Sequence, residues 1–170
     1  MHKKSIDILS ITETCLDNSW TDNELVITGY NLFHRDRKTA QGGGIIVYTH
    51  NSLSIERRGD LESEQIGQIS IEFKQFRWAS ILTSCFYRPP ESTVSLFHNL
   101  ANILDSIAAE NKDVHIVGDF NVDLIKKSTS ESTQILLEME NQGFLQMVKT
   151  STSHHWKVYY SYWSPLLLSS

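Results

Sequence analysis

Asp113-Val114-His115-Ile116-Val117-Gly118-Asp119-Phe120-Asn121-Val122-Asp123 is the stretch from which the fold can be read. Val114, Ile116 and Val117 make a short apolar run suited to a buried strand, and Gly118 is expected to end it. Beyond it stand a carboxylate and a carboxamide two positions apart. In extended chain, positions i and i+2 project to the same side, so Asp119 and Asn121 can face one ligand together. An acceptor beside a donor at the carboxyl end of a strand suits a water molecule and a phosphate oxygen. Taken alone, the stretch reads equally well as a strand followed by an Asp/Asn turn.

Working outward, the spacing of Val94, Phe97, Leu100, Ala101, Leu104, Ile107 and Ala108 predicts a helix that delivers the chain to this strand, with Glu91 and Ser92 as its cap. A second helix is predicted from about Ser130 to Asn141, with Ile135, Leu136 and Met139 inward and Gly143 as its stop. Phe144 to Val148 reads as one more strand. On the other side, Ile6 to Glu13 reads as a buried strand ending in a carboxylate. Thr14 to Gly29 is loop-like, with a short helix around Asp22 to Val26. Tyr30 to Arg35 alternates and runs into the basic segment Arg35-Asp36-Arg37-Lys38. Gly42-Gly43-Gly44 opens a strong strand, Ile45 to Thr49. Leu53 to Arg57, Ile66 to Phe73 and Arg77 to Phe86 follow, with hairpin turns expected at Asn51-Ser52 and near Lys74-Gln75. Four successive strands without helices predict an antiparallel sheet, and the whole an α+β domain.

The 170 residues suffice for one domain with a real core. A net charge of −5 argues against a generally basic nucleic-acid binder, so any grip on a polyanion must be local. Cys15 and Cys85 are far apart and form neither zinc spacing nor a disulfide framework, and both are expected as small reduced core residues of an intracellular protein. The start of the chain lacks an apolar signal segment, and no run is long enough to span a membrane. His34, His50, His98 and His115 have no paired spacing and read as structural or surface residues. Residues 151–170, with two Trp, three Tyr, a Leu triplet and no carboxylate, fit no element.

Four separated pieces agree in order and spacing: Ile11-Thr12-Glu13-Thr14, Gly42-Gly43-Gly44-Ile45-Ile46-Val47-Tyr48, Phe86-Tyr87-Arg88-Pro89-Pro90, and Gly118 to Asp123. Together they resemble the endonuclease/exonuclease/phosphatase superfamily, and look most like the apurinic-type endonuclease domain of jockey-like non-LTR retrotransposons, over Ser5 to Lys149. The resemblance implies a four-layer α/β/β/α sandwich of the DNase I-like kind, incomplete at both termini, over residues 1–150, with 151–170 as an atypical tail. It implies magnesium, or manganese in its place, as cofactor, with Glu13 as the metal carboxylate. Asp119 matches the residue that aligns and deprotonates the attacking water, Asn121 the residue that bonds the phosphate, and Tyr87 the hydroxyl beside the scissile phosphate. Pro90 stands where the family often has Asn. Arg35, Arg37, Lys38 and Arg88, with Lys126 and Lys127, are candidates for a phosphate-binding rim, although each singly reads as ordinary surface.

Two family pieces have no match: an initial strand carrying Asn, and a closing Ser-Asp-His segment. The codons for His155 to Ser164, read one base later, can spell Thr-Gly-Lys-Ser-Thr-Thr-Leu-Ile-Gly-His, close to the family's closing string, so a frameshift would account for the tail. The expectation is therefore a DNA phosphodiesterase of retroelement type with little or no activity, nuclear if it acts, and without the reverse transcriptase domain expected in its parent element. The alternatives are a non-catalytic remnant that binds phosphate or nucleic acid, and a phosphoesterase of the same superfold with a non-DNA substrate.

Overall fold

Ile45-Ile46-Val47-Tyr48 is apolar at every position, so it needs cover on both faces, and two stacked sheets supply it. The computed structural model describes residues 6–36, 43–74, 80–90, 95–121, 130–147 and 158–162. In chain order the elements are β1 (Ile8–Thr12), α1 (Asp22–Leu25), β2 (Tyr30–Arg35), β3 (Ile45–His50), β4 (Ile55–Arg57), β5 (Gly67–Phe73), β6 (Ile81–Tyr87), α2 (Ser95–Ala109), β7 (Asp113–Asp119), α3 (Ser130–Asn141), β8 (Leu145–Gln146) and β9 (Val158–Tyr162). A 3-10 turn at Gly59–Leu61 lies between β4 and β5.

The first sheet has the order β1-β3-β2 and is antiparallel throughout, and the second has the order β4-β5-β6-β7-β9-β8. The four consecutive strands expected in one antiparallel sheet are thus divided between two. Asn51-Ser52 is no hairpin but the crossing from β3 to β4, closed by Leu53 N–H donating to the His50 carbonyl at 3.0 Å. The doubly apolar β3 requires this, because a hairpin partner alone would leave one of its faces in water. β5 and β6 do pair antiparallel, while residues 75–79, which join them, lie outside the described set.

Three apolar layers result. Ile45 and Val47 meet Ile69, Ile71, Cys85 and Tyr87 between the sheets. Leu82, Phe86, Val114 and Ile116 face Leu100, Leu104, Ile107, Ile135 and Met139 of α2 and α3 on the outside of the second sheet. Leu16, Ile46 and Tyr48 are covered on the outside of the first sheet by Leu25, Tyr30 and Leu32. The order α, β, β, α of the DNase I-like sandwich is present, with the outermost layer on the first sheet reduced to the four-residue α1 and the loop around it.

Several sequence expectations change here. Among the described residues β1 is an edge strand, and Leu9 and Ile11 on its outer face are 37% and 39% exposed instead of buried, because no long helix among those residues covers them. Cys15 is exposed, whereas Cys85 sits in the core as expected. Ile103, missing from the predicted apolar face of α2, is buried in it. The expected cap Glu91 and Ser92, with Val94, lies outside the described residues, as do the side chains of Phe97 and Leu136. α3 has the predicted bounds, and Gly143, at φ 78°, ends it with Phe144 N–H returning to the Met139 carbonyl. The strand after it is only Leu145–Gln146, and Phe144 is a buried plug. The tail that fitted no element contributes β9, antiparallel to both β7 and β8. Gly118 does not end β7. It lies inside the strand at φ 150°, where any Cβ would collide with the Phe86 carbonyl of β6.

A charge network fastens the edge of the second sheet to its helical layer. Arg58 donates to Glu72 at 2.6 Å and to Glu110 at 2.8 Å, and Lys112 reaches both carboxylates at 3.0 and 2.8 Å. Hydrogen bonds from Arg58 and then Lys112 hold Glu110 at about 2, against the opposing effect of burial. A carboxylate whose folded pKa is depressed stabilises above its unfolded value and loses that contribution as pH falls through the folded one. Glu110 should therefore support the fold fully above its ordinary 4.5 and lose its effect towards about 2. Acid denaturation of Glu110→Gln, followed by circular dichroism, is expected to show a lower stability at neutral pH and a flatter decline across that window. Gly118→Ala is expected to cost roughly 3 kcal/mol in denaturant unfolding, from backbone strain plus the clash between β7 and β6.

Candidate functional site

The candidate site forms where three strand ends meet. β6 and β7 run parallel with Tyr87 opposite Asp119, so both side chains leave the same end of the sheet. Ligands of open α/β sheets gather at such carboxyl ends. Alternation along the two strands puts Cys85 and Tyr87 of β6, and Val117 of β7, on the face that meets the first sheet, and Asp119 follows Val117 at i+2. β1 touches both β6 and β7 across the gap, and its chain continues into Glu13. The Tyr87 hydroxyl closes the corner by donating to Glu13 Oε1 at 2.7 Å.

Glu13 and Cys15 stand at φ 56° and 55°, in the left-handed region that side chains with a Cβ rarely adopt. Pairing with the glycine run holds them there: Cys15 N–H donates to the Gly43 carbonyl at 2.9 Å, and Thr14 N–H reaches Gly44 at 3.5 Å. A Cβ on Gly44 would run into Thr14 Oγ1. The glycines therefore make a tight approach that shapes the Glu13 turn. Gly42 lies outside the described residues.

Asp119 and Asn121 converge by a different route from the one expected. Asn121 is not extended: its φ is 50°, and its N–H donates to Asp119 Oδ1 at 2.9 Å in a tight Asx-type turn. Asn tolerates this backbone because its short side chain bonds locally, and here Nδ2 donates to the Arg88 carbonyl at 2.7 Å. Asp119 is 7% exposed, and its carbonyl accepts from Arg88 N–H at 2.9 Å.

Burial first, then the hydrogen bond to Glu13 and the charges of Glu13 and Asp119, push the Tyr87 phenol well above its ordinary value of 10. Tyr87 therefore remains protonated at neutral pH and serves as a donor. The geometry behind this is the 2.7 Å bond from the Tyr87 hydroxyl to Glu13 and the pairing of Tyr87 opposite Asp119 in the ladder.

The cationic rim takes another form. Arg35 donates to the Gln68 carbonyl at 3.0 Å and lies 3.9 Å from Glu62, tying the first sheet to the second. Arg88 is 5% exposed, with Nη1 on the Phe120 carbonyl at 3.1 Å, so it is an interior group. Arg37, Lys38, Lys126 and Lys127 lie outside the described residues. His34 bridges Asp36 and Asp22 at 2.7 and 3.1 Å, the structural use expected of it. Burial works against its charge, but the bonds to Asp36 and Asp22 prevail and raise its pKa. Sequence reasoning missed Thr14, whose hydroxyl is buried next to Glu13 with no partner among the described residues. Only the glycine opposite it could have signalled the close approach.

No family model and no curated protein match the chain in sequence. Solved structures do match. The endonuclease domain of TRAS1, a telomere-specific non-LTR retrotransposon, is similar at TM-score 0.64 and 12% identity, over 84% of this chain and 71% of that one. The catalytic domain of Xenopus laevis APE2 is similar at TM-score 0.52 and 13% identity, over 91% of this chain and 82% of that one. ANGEL2, a 2′,3′-cyclic phosphatase solved with adenosine-2′,3′-vanadate, is similar at TM-score 0.50 and 18% identity, over 68% of this chain. The chain spans 40% of the ANGEL2 structure. No helix among the described residues is long and apolar enough to cross a membrane. With its two face-to-face sheets, outer helices and these structural neighbours, the chain has the fold of the endonuclease/exonuclease/phosphatase superfamily.

Proposed function

We propose that the chain is a phosphodiesterase domain of retroelement origin whose substrate is DNA. The observation that carries this reading is the hydrogen bond from Tyr87 to Glu13, which joins the two sheets at the strand end where Tyr87 lies opposite Asp119 and the Asn121 turn follows. A carboxylate acceptor, a carboxamide donor and a protonated phenol in one corner match what phosphodiester hydrolysis requires of side chains.

The donor set also fits a hard cation. Glu13 has one oxygen engaged by Tyr87, Asp119 adds a second carboxylate, and the buried Thr14 hydroxyl is unpartnered among the described residues. No trio of His, Cys, Asp or Glu among the described residues is grouped to hold an ion, so an ion here would keep most of its water, as magnesium prefers. Glu13 would hold magnesium or manganese, which when bound would neutralise charge growing on the phosphoryl oxygens.

The chain's own groups have separable tasks. Asp119, with Oδ1 fixed by the Asn121 N–H, accepts the proton of the attacking water at its carboxylate. Asn121 offers its remaining side-chain N–H to a non-bridging oxygen. Tyr87 orients Glu13 and presents a neutral hydroxyl that does not repel the phosphate.

A second reading, a non-catalytic remnant of the fold with weak phosphate affinity, is favoured by the internal engagement of Arg35 and Arg88, which leaves the described corner poor in cations. Plasmid nicking in magnesium separates the two. The wild-type chain is expected to nick supercoiled DNA slowly, and Asp119→Ala to be about 100–10,000-fold slower. Equal nicking by both proteins would sink the hydrolase, while DNA binding without nicking would assign the second reading. Tyr87→Phe is expected to lower the nicking rate about 100-fold and stability by about 1 kcal/mol, measured by single-turnover kinetics and urea unfolding. Because the phenol is raised above 10, the wild-type rate should show no fall from Tyr87 ionisation between pH 8 and about pH 10.

A further inference from the structure

The Asp119-Phe120-Asn121 turn is bonded at every residue to a single partner. Arg88 N–H donates to the Asp119 carbonyl at 2.9 Å, Arg88 Nη1 donates to the Phe120 carbonyl at 3.1 Å, and Asn121 Nδ2 donates to the Arg88 carbonyl at 2.7 Å. We propose that Arg88 is the positioning residue of this site, its buried guanidinium setting the conformation in which Asp119 and Asn121 face the corner. The inference deepens the hydrolase reading and rests on it only where catalysis is concerned.

The argument is one of placement and cost. The last residue of β6 is Tyr87, so Arg88 is the first position beyond the ladder, beside a turn that leaves β7 at the matching point. Two of the three bonds use the Arg88 main chain, and any residue there could make them. The third needs a long side chain that bends back under the turn. A guanidinium at 5% exposure is expensive to bury. An apolar side chain of similar volume in such a place is often neutral or stabilising. Stability alone therefore gives no reason for an arginine.

The surroundings give one. Phe120, 2% exposed, stacks on Phe86 with ring centroids 5.9 Å apart, which anchors the middle of the turn by its side chain. The Phe120 carbonyl is then the handle by which the turn's peptide planes can rotate. With Nη1 on that oxygen, Asn121 is kept at φ 50° and its N–H on Asp119 Oδ1. Without it, the left-handed Asn can relax to an ordinary backbone and turn its carboxamide away.

The test uses the full chain with Asn labelled in ¹⁵N. In Arg88→Met the fold is expected to persist by circular dichroism, while the Asn121 side-chain amide pair shifts and its backbone N–H exchanges at least about 10-fold faster. Arg88→Lys, which keeps the charge and one donor but not the fork, is expected to move the same resonances part of the way. Unchanged Asn121 signals in a folded Arg88→Met would overturn the proposal. So would failure of both variants to fold, since Arg88 would then be a stability residue. Where the wild type nicks DNA, Arg88→Met should lose about 100-fold in kcat with KM and salt dependence unchanged, as misplacement predicts. A loss confined to KM and the salt slope would make it a phosphate contact instead. A wild-type chain that does not nick at all ends the hydrolase reading but leaves the resonance test in force.

Discussion

The hydrogen bond from Tyr87 to Glu13, 2.7 Å long, depends on two independent registers being correct at once. Tyr87 is placed by the ladder of β6 with β5 and β7, and Glu13 by the pairing of β1 with β3. Because the side-chain period of a strand is two, a slip of one residue in either sheet would turn one partner away from the gap. The bond thus reports the alignment of two sheets that share no backbone hydrogen-bond ladder. The apolar layer of Ile45, Val47, Ile69, Ile71 and Cys85 between them holds the sheets face to face, and Arg35 to the Gln68 carbonyl adds a second polar tie. Between these fastenings the corner inherits its geometry from the core.

The three-residue turn after β7 shows why rigidity matters here. Asp119 is the last residue of a strand whose penultimate position is a glycine packed against the Phe86 carbonyl. That close approach brings β7 near β6, and it is the reason Arg88, just beyond β6, can bond all three residues of the turn. Gly44 beside Thr14 plays the same part for the first sheet. In both places a missing side chain permits a close approach, and Asp119 and Glu13 stand next to the contact.

Legibility in the sequence followed local periodicity and failed where partners are remote. α3 was readable to its ends because Ile135, Met139 and Gly143 follow helical spacing and stop chemistry within one segment. β3 and β7 were readable because their apolar runs are short and dense. The division of consecutive strands between two sheets was not, since nothing in Asn51-Ser52 says whether the next strand returns or crosses. Motif order singles out Glu13, Tyr87, Asp119 and Asn121, but not the backbone between the last two: extended alternation is expected where a left-handed Asn makes a turn. Arg88 reads in sequence as one more surface cation, and only burial against Phe120 separates it from Arg57 or Lys74. The aromatic run near the end of the chain hid β9 because a five-residue strand of mixed Tyr and Ser carries little periodic signal.

Strain is distributed unevenly. Four non-glycine residues among the described set have positive φ, namely Glu13, Cys15, Asn111 and Asn121. Asn111 ends α2, where a left-handed Asn is an ordinary stop. The other three lie on the two turns that form the corner. A left-handed Glu or Cys costs on the order of 1 kcal/mol or more and persists only where surrounding structure over-determines it. Here the glycine run over-determines the first turn and Arg88 the second. If these turns served only to reverse the chain, glycine or asparagine at positions 13 and 15 would do so with less strain. Holding a carboxylate at position 13, toward Tyr87, needs a side chain that glycine cannot supply. The strained backbone at position 13 thus goes with a carboxylate held 2.7 Å from the Tyr87 hydroxyl.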